Sequence, residues 1–330
     1  MTAGRPRRRA RPAADPNGPA PPKPADGVPM RGSPRPHPWL GLGLWALGRW
    51  DPDDEARTRE VVAHAVERGV AWFDTAEVYG LGRSERILGE ALAAPSSDRP
   101  TPFVVTKASW EHLRPAQLRA ALHQSLERLG RRSVDLYLLH GPDPRVPLAE
   151  TIPALEALWK GGQTGAIGVS NFSVEELEEA ARHLTDGAIA VNQIRYSLLD
   201  RDDAEPIREY CQRHGILVEA YSPLARGLLC GRYLDGRRVP TAVRRFAHRF
   251  FEGDRWPMIR DRALRLRELA RRHELPLASI ALHWLARQGA LPVFGASRPA
   301  QVDENLAAWS VRPPDEVLDE ADRIARGDAD

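Results

Sequence analysis

The chain has 330 residues, 42% of them hydrophobic, which is enough for one large barrel or two ordinary domains around a real core. Its 47 Lys and Arg nearly cancel 45 Asp and Glu, and residues 1–36 alone hold seven Arg and one Lys against two Asp. The remainder is mildly acidic, which argues against a nucleic-acid surface built into the fold.

Residues 1–36, containing "RPRRRARPAADPNGPAPPKPAD", are rich in Pro and Arg and poor in apolar side chains. Such a segment cannot bury enough surface to offset its ordering entropy, so it is expected to be a disordered leader, with a polyanion-binding arm as its alternative role. No apolar stretch follows its basic residues before Trp39, so a twin-arginine or secretory signal is not expected. A single domain over 37–330 is expected to follow. Nothing in it approaches the roughly 18 consecutive apolar residues of a membrane span. Two cysteines, Cys211 and Cys230, make no disulfide or ligand framework, and a reducing cytoplasm is the expected compartment. The ten histidines show no H-E-x-x-H spacing, so no protein-bound metal is expected and any cofactor is organic.

In chain order, the first apolar run is "LGLGLW" at 40–45, followed by the helical pattern "DDEARTREVVAHAVERG", which opens on acids and closes on Gly69. "AWFD" at 71–74 and "FVVTK" at 103–107 come next, then a helix over 115–129 and the strand "VDLYLLH" at 134–140. A helix over 148–160, the strand "AIGVS" at 166–170, a helix over 174–183 and the strand "IAVNQ" at 189–193 continue the alternation. It ends with a helix over 204–214, the strand "ILVEAYS" at 216–222, a long helix over 260–286, the strand "LPVFG" at 291–295 and an amphipathic helix near 314–326. Eight strands with helices between them predict an α/β fold, the (β/α)8 TIM barrel. A doubly wound sheet would want G-x-G-x-x-G after the first strand, and "GLGLWALG" brings its third glycine, Gly48, two residues late.

In such a barrel the chemistry sits at the C-terminal ends of the strands. Those ends carry Asp74, Lys107, His140, Ser170 with Asn171, Asn192 with Gln193, and Tyr221 with Ser222. Lys107 is one of only three lysines, beside 44 arginines. A compact ammonium whose pKa responds to burial differs from a guanidinium, so a rare lysine ending an apolar strand points to those properties. Tyr79, five residues after Asp74, is a poor acid at neutral pH unless a cation stabilises its phenolate. Lys107 is expected to be that cation, Asp74 to hold it, and His140 to hydrogen-bond a substrate oxygen.

Beyond these four, the chain resembles the aldo-keto reductase family from about Trp39 to Trp309. "FDTAEVYG", "VVTKAS" and "LYLLHGPDP" resemble the segments that carry the family's catalytic Asp, Tyr, Lys and His. "GAIGVSNFS" and "VNQIRYSLLDR" resemble the segments that would hold the nicotinamide carboxamide, here Ser170, Asn171 and Gln193. "EAYSPLARGLLCGRY" resembles the stretch that stacks Tyr221 under the nicotinamide and wraps Ser222, Pro223, Leu224 and Arg226 around the pyrophosphate. "VFGASRPAQVDENLAA" resembles the adenosine end, with Gly295, Ser297, Gln301, Glu304 and Asn305 at matching positions. The resemblance implies hydride transfer from NADPH to the carbonyl of an aldehyde or ketone, reversible as alcohol oxidation, with Tyr79 as general acid. Arg298, beside Ser297, is expected to meet the 2′-phosphate and favour NADP over NAD.

Trp45 and Trp110, with Trp50 as a further candidate, are expected to line the substrate pocket. The family often has a threonine or serine where this chain has Leu44, so a polar contact to the cofactor is expected to be missing there. Segment 232–258 matches a variable loop over the cofactor and offers no assignable role, and a C-terminal substrate loop is expected to be short or absent. Two other classes fit parts of the pattern. A Schiff-base aldolase also uses a strand-end lysine, but has no use for the carboxamide and adenosine sets. A regulatory subunit resembling the potassium-channel beta subunits would bind NADPH and turn over slowly or not at all. No heptad repeat is present, and the sequence leaves the oligomeric state and the particular carbonyl substrate open.

Overall fold

The computed structural model describes residues 27–47, 52–93, 101–235, 250–251 and 255–327. Eight parallel strands close into a barrel in sequence order, the last pairing with the first through Gly41↔Val293 and Gly43↔Gly295. They are β1 (Gly41–Gly43), β2 (Trp72–Asp74), β3 (Phe103–Ala108), β4 (Val134–Leu139), β5 (Thr164–Ser170), β6 (Ile189–Arg195), β7 (Leu217–Tyr221) and β8 (Ala290–Gly295). Around them run α1 (Pro52–Glu67), α2 (Arg83–Leu92), α3 (Pro115–Leu129), α4 (Leu148–Lys160), α5 (Val174–Arg182), α6 (Ala204–Arg213), α7 (Arg255–Arg272), α8 (Leu277–Arg287), α9 (Pro299–Ser310) and α10 (Asp315–Arg326).

Strand side chains alternate between two cores because successive residues point to opposite faces. Phe73, Val104, Tyr137, Val169, Ile194, Val218 and Phe294 belong to the larger core between barrel and helices. Trp72, Phe103, Val105, Leu136, Leu138, Ala166, Val191 and Val293 fill the barrel interior. Two residues on from Trp72, Val105 and Leu138 the same inward rows reach Asp74, Lys107 and His140, so the interior turns polar at the C-terminal rim. Gly41 leaves room for the largest interior side chain: a Cβ there would lie 2.0 Å from the Trp72 ring.

The boundary expected at residue 36 falls inside ordered structure. Val28 pairs antiparallel with His37, Met30 is buried in the interior core, and Trp159 Nε1 donates to the Gly32 carbonyl at 3.1 Å. The His37 ring packs against Trp72 and Phe103 with centroids 4.6 Å from each. This segment floors the barrel, and a few well-placed side chains outweigh the Pro and Arg content around them. Residues 1–26 lie outside the described residues.

Three other expectations change. The helix expected over 260–286 is two helices, α7 and α8, because Glu274 takes a left-handed φ of 53° and Pro276 caps α8. The run 40–45 is strand only over Gly41–Gly43, and Leu44 begins a 3-10 turn over Leu44–Leu47. Leu44 is fully buried in the outer core and is not among the residues that line the rim cavity. Helix α2, which the sequence reading did not assign, follows Tyr79 at once and buries Glu85 against Arg128 and Thr106.

Helix α5 begins directly after the rim residues of β5 and is fixed by a capping box in which Ser173 accepts from the Glu176 amide and Glu176 accepts from the Ser173 amide. Ser173→Ala is expected to lower unfolding free energy by about 1 kcal/mol, read as a lower midpoint at unchanged slope in urea denaturation.

Candidate active site

The rim of the barrel opens into a cavity of about 860 Å³. Its lining includes Asp74, Tyr79 and His140 at one end and Gln301, Glu304 and Asn305 at the other. Lys107 is fully buried beneath it. Its ammonium donates to Asp74 Oδ2 at 2.5 Å and to the Thr75 carbonyl at 2.9 Å, and lies 5.1 Å from the centroid of the Tyr79 ring. The His140 ring stands edge-on to Tyr79 with centroids 5.6 Å apart. The four residues singled out from three strand ends and one loop are therefore brought together.

Their protonation follows from burial and charge. Burial works against the Lys107 ammonium, but Asp74 overcomes it and holds the amine charged. Burial pushes the Asp74 carboxyl up, while Lys107 and the Gln193 amide pull it back; two donors on one oxygen select the carboxylate. The Tyr79 phenol is pushed up to about 12 by burial, which outweighs the lowering by the Lys107 charge. The expected stabilisation by Lys107 is present in sense but is outweighed: dehydration dominates, and the Asp74 charge adds to it. His140 is lowered to about 3, first by burial and then by Lys107, so its imidazole is neutral.

Next to these lies a second constellation. Ser170 Oγ donates to the Gln193 carbonyl at 2.9 Å, and Asn171 Nδ2 donates to Ser170 Oγ at 3.0 Å and to the His140 carbonyl at 3.2 Å. Asn171 adopts φ 59°, a left-handed conformation that asparagine tolerates better than most residues. Tyr221 Oη donates to Asn171 Oδ1 at 3.0 Å. Ser222, Pro223, Leu224 and Arg226 continue the lining, with Ser222 and Arg226 also at positive φ. Arg226 places its guanidinium 4.3 Å from the Trp45 ring centroid, on the cavity wall.

At the far end, the Ser297 amide and hydroxyl both donate to Gln301 Oε1, and Asn305 Nδ2 donates to the Gln301 carbonyl at 2.7 Å. Gly295 is also in the wall. Arg298 lies outside it, solvent-exposed, with Nη2 3.3 Å from Glu304 Oε1. Trp110 is likewise off the cavity wall, 46% exposed, with its ring 5.7 Å from that of His140. Trp50 and most of segment 232–258 lie outside the described residues.

Several residues of the site escaped the sequence reading. Arg195, Cys230, Arg232 and Tyr233 line the cavity, and Glu219 and His37 sit beneath it. Glu219 carried a signal: a carboxylate in the middle of the apolar strand "ILVEAYS", at the same inward parity as Tyr221. His37 carried none, since its partner is 182 residues away. Among the described residues no group of three or more His, Cys, Asp or Glu could hold a metal ion, and no helix is long and apolar enough to cross a membrane.

Comparison with known proteins agrees with this geometry. Residues 39–326 match the Aldo/keto reductase family. An uncharacterized oxidoreductase of Mycobacterium tuberculosis is 36% identical over 279 residues, covering 82% of this chain and 84% of that protein. The NADH-specific methylglyoxal reductase of Escherichia coli is 31% identical over 307 residues, covering 84% and 91%. Among solved structures, the glycerol dehydrogenase of Gluconobacter oxydans superposes with a TM-score of 0.80 at 28% identity, covering 92% of this chain and 96% of that one. An aldo/keto reductase from Klebsiella pneumoniae, in complex with NADP and acetate, gives 0.71 at 28% identity and covers 90% and 95%. The chain belongs to the aldo/keto reductase family and is an NAD(P)H-dependent oxidoreductase.

Proposed function

We propose that this protein reduces the carbonyl of an aldehyde or ketone with NADPH, reversibly, using Tyr79 as the general acid. The observation that carries the reading is the buried Lys107 ammonium, held between Asp74 and Tyr79 beneath an open cavity. That cavity suits a dinucleotide: it is near the upper end of small-molecule sites in volume and runs from the tetrad to the Gln301 and Asn305 end. Bound there, the cofactor supplies the hydride for the carbonyl carbon.

Tyr79 donates its proton to the oxygen on which charge develops. A phenol pushed up to about 12 keeps that proton throughout the neutral range, as an acid must. Lys107 stabilises the phenolate left behind, and Asp74 keeps the ammonium oriented. Neutral His140 orients the carbonyl oxygen by a hydrogen bond rather than by charge. Ser170, Asn171 and Gln193 hold the carboxamide, Tyr221 stacks on the nicotinamide ring, and residues 222–226 follow the pyrophosphate. Ser297, Gln301, Glu304 and Asn305 take the adenosine end. Trp45 and Trp110 flank the substrate.

Arg298 supports NADPH over NADH, because among the described residues its exposed guanidinium has only Glu304 to leave when a 2′-phosphate arrives. The NADH-specific relative makes this a point to measure. Arg298→Ala is expected to raise the Kd for NADPH about tenfold and leave that for NADH unchanged, read by quenching of tryptophan fluorescence. Equal losses for both would assign the arginine a structural role.

Tyr79→Phe is expected to lower kcat for carbonyl reduction at least 100-fold with NADPH affinity retained, followed as absorbance at 340 nm. Tight binding without turnover in the unaltered protein would favour the regulatory reading instead. Since Tyr79 stays protonated to about 12 and His140 stays neutral to about 3, kcat for reduction is expected to be flat from about pH 5 to pH 9. A steep acid or alkaline limb inside that window would show a different donor.

A further inference from the structure

A line of buried polar groups runs from the barrel floor to the catalytic rim. His37 Nδ1 meets the Pro38 carbonyl at 2.8 Å and Nε2 meets Glu219 Oε1 at 2.7 Å, with both His37 and Glu219 fully buried. Glu219 Oε2 accepts from Gln193 Nε2 at 2.5 Å, and the same nitrogen donates to Asp74 Oδ2 at 2.8 Å. Asp74 Oδ2 then accepts from Lys107. Strand pairing sets this up, because Gln193 stands opposite Glu219 in the register of β6 and β7.

The hydrogens along this line can be counted. Two carboxylate oxygens meet the same atom of Gln193, and only an NH2 group can satisfy both, so Oε1 is the end left for a ligand. A carbonyl oxygen only accepts, so His37 Nδ1 carries a hydrogen. With Glu219 ionised, Nε2 carries one too, and the pair is neutral overall. That neutrality matters because a bare carboxylate one amide away from Asp74 would repel it, and Glu219 already pushes the Asp74 carboxyl up.

We propose that Glu219 is a positioning residue that fixes the rotation of the Gln193 amide, so that its oxygen faces the carboxamide NH2 of the nicotinamide, and that His37 anchors Glu219 from the floor. The proposal rests on the reading above, in which Gln193 holds that carboxamide. Without the Glu219 acceptor only the Asp74 carboxylate still holds the amide nitrogen on that side, so the amide turns over more readily, and the turned-over form presents a donor to a donor. The cost falls on the nicotinamide half of the cofactor alone.

The test uses three ligands on the full-length protein: NADPH, the 3-acetylpyridine analogue of NADP, which has no carboxamide NH2, and adenosine 2′,5′-bisphosphate. Glu219→Leu is expected to weaken NADPH about tenfold while the other two bind as before. Glu219→Gln still accepts from Gln193 through its oxygen and donates to a neutral His37 through its nitrogen, so it is expected to recover most of the NADPH affinity. Equal weakening of all three ligands, or none, overturns the proposal. So does a Glu219→Gln variant as impaired as Glu219→Leu.

Nitrogen-15 NMR of the histidine ring without cofactor keeps the two readings apart. It is expected to show a hydrogen on each His37 nitrogen, as the two contacts require, and Nε2 bare in Glu219→Gln. An unprotonated Nε2 in the unaltered protein sinks the floor anchor whatever binds above it. Failure of every ligand to bind, with that signature present, sinks the cofactor assignment and the positioning role that depends on it, leaving the floor pair as a structural contact only.

Discussion

The ion pair between Lys107 and Asp74 is the constraint around which the rest of the site is arranged. An ammonium with no exposed surface is tolerated only where its hydrogens are satisfied and its charge is matched. Here Asp74 Oδ2 and the Thr75 carbonyl take two of the three hydrogens, and the ammonium lies 5.1 Å from the Tyr79 ring centroid. Removing one member of such a pair costs about 3–5 kcal/mol, because the other is left buried and uncompensated. The barrel accepts that liability at its rim, where the interior rows of β2, β3 and β4 end. An apolar substitute would pack as well, so the pair is better understood through what it does to Tyr79 than as a source of stability.

What it does is set by competition between dehydration and charge. Dehydration alone would keep the phenol protonated and make it a poor donor. The adjacent ammonium stabilises the phenolate and so opposes dehydration. The same ammonium also lowers His140, which together with burial removes a second cation from the site. One positive charge therefore serves both neighbours in opposite ways: it eases loss of a proton from the phenol and prevents gain of one by the imidazole. Glu219 and His37 fit this electrostatic scheme as a neutral pair, which extends hydrogen bonding beneath Asp74 without adding net charge.

The barrel was legible in the sequence because its two cores are written as alternation. "FVVTK" puts Val104 and Thr106 on one face and Phe103, Val105 and Lys107 on the other, and all eight strands were placed to within a few residues. The rim groups Asp74, Lys107, His140, Ser170, Gln193 and Tyr221 could be read off because each sits where such a row ends. Contacts between residues distant in the chain were not legible. The floor segment 27–37 looked like the leader before it, since its contacts are with residues far along the chain, His37 with Trp72, Phe103 and Glu219 and Gly32 with Trp159. The break between α7 and α8 was missed because a periodic apolar pattern spans it, and only Pro276 and the left-handed Glu274 mark the stop. Helix α2 was missed for the opposite reason: its Glu85 reads as a surface acid until Arg128 and Thr106 are placed around it.

Selectivity has to arise above this framework. Asp74, Lys107 and His140 stand at the ends of barrel strands and Tyr79 in the turn into α2, so the framework itself holds these four together. The groups that vary freely lie on loops that follow the strands, where the fold tolerates change without disturbing the core. Trp45 stands in the 3-10 turn after β1, and Trp110 in the short turn after β3. The Trp110 ring lies near His140 and the Trp45 ring against the Arg226 guanidinium. An indole held by a guanidinium is less free to swing than one exposed to solvent. Trp45 is therefore the more restrained of the two indoles and the half-exposed Trp110 the freer. A site built this way separates the chemistry, which the barrel holds constant, from the choice of substrate, which a few loop side chains can change.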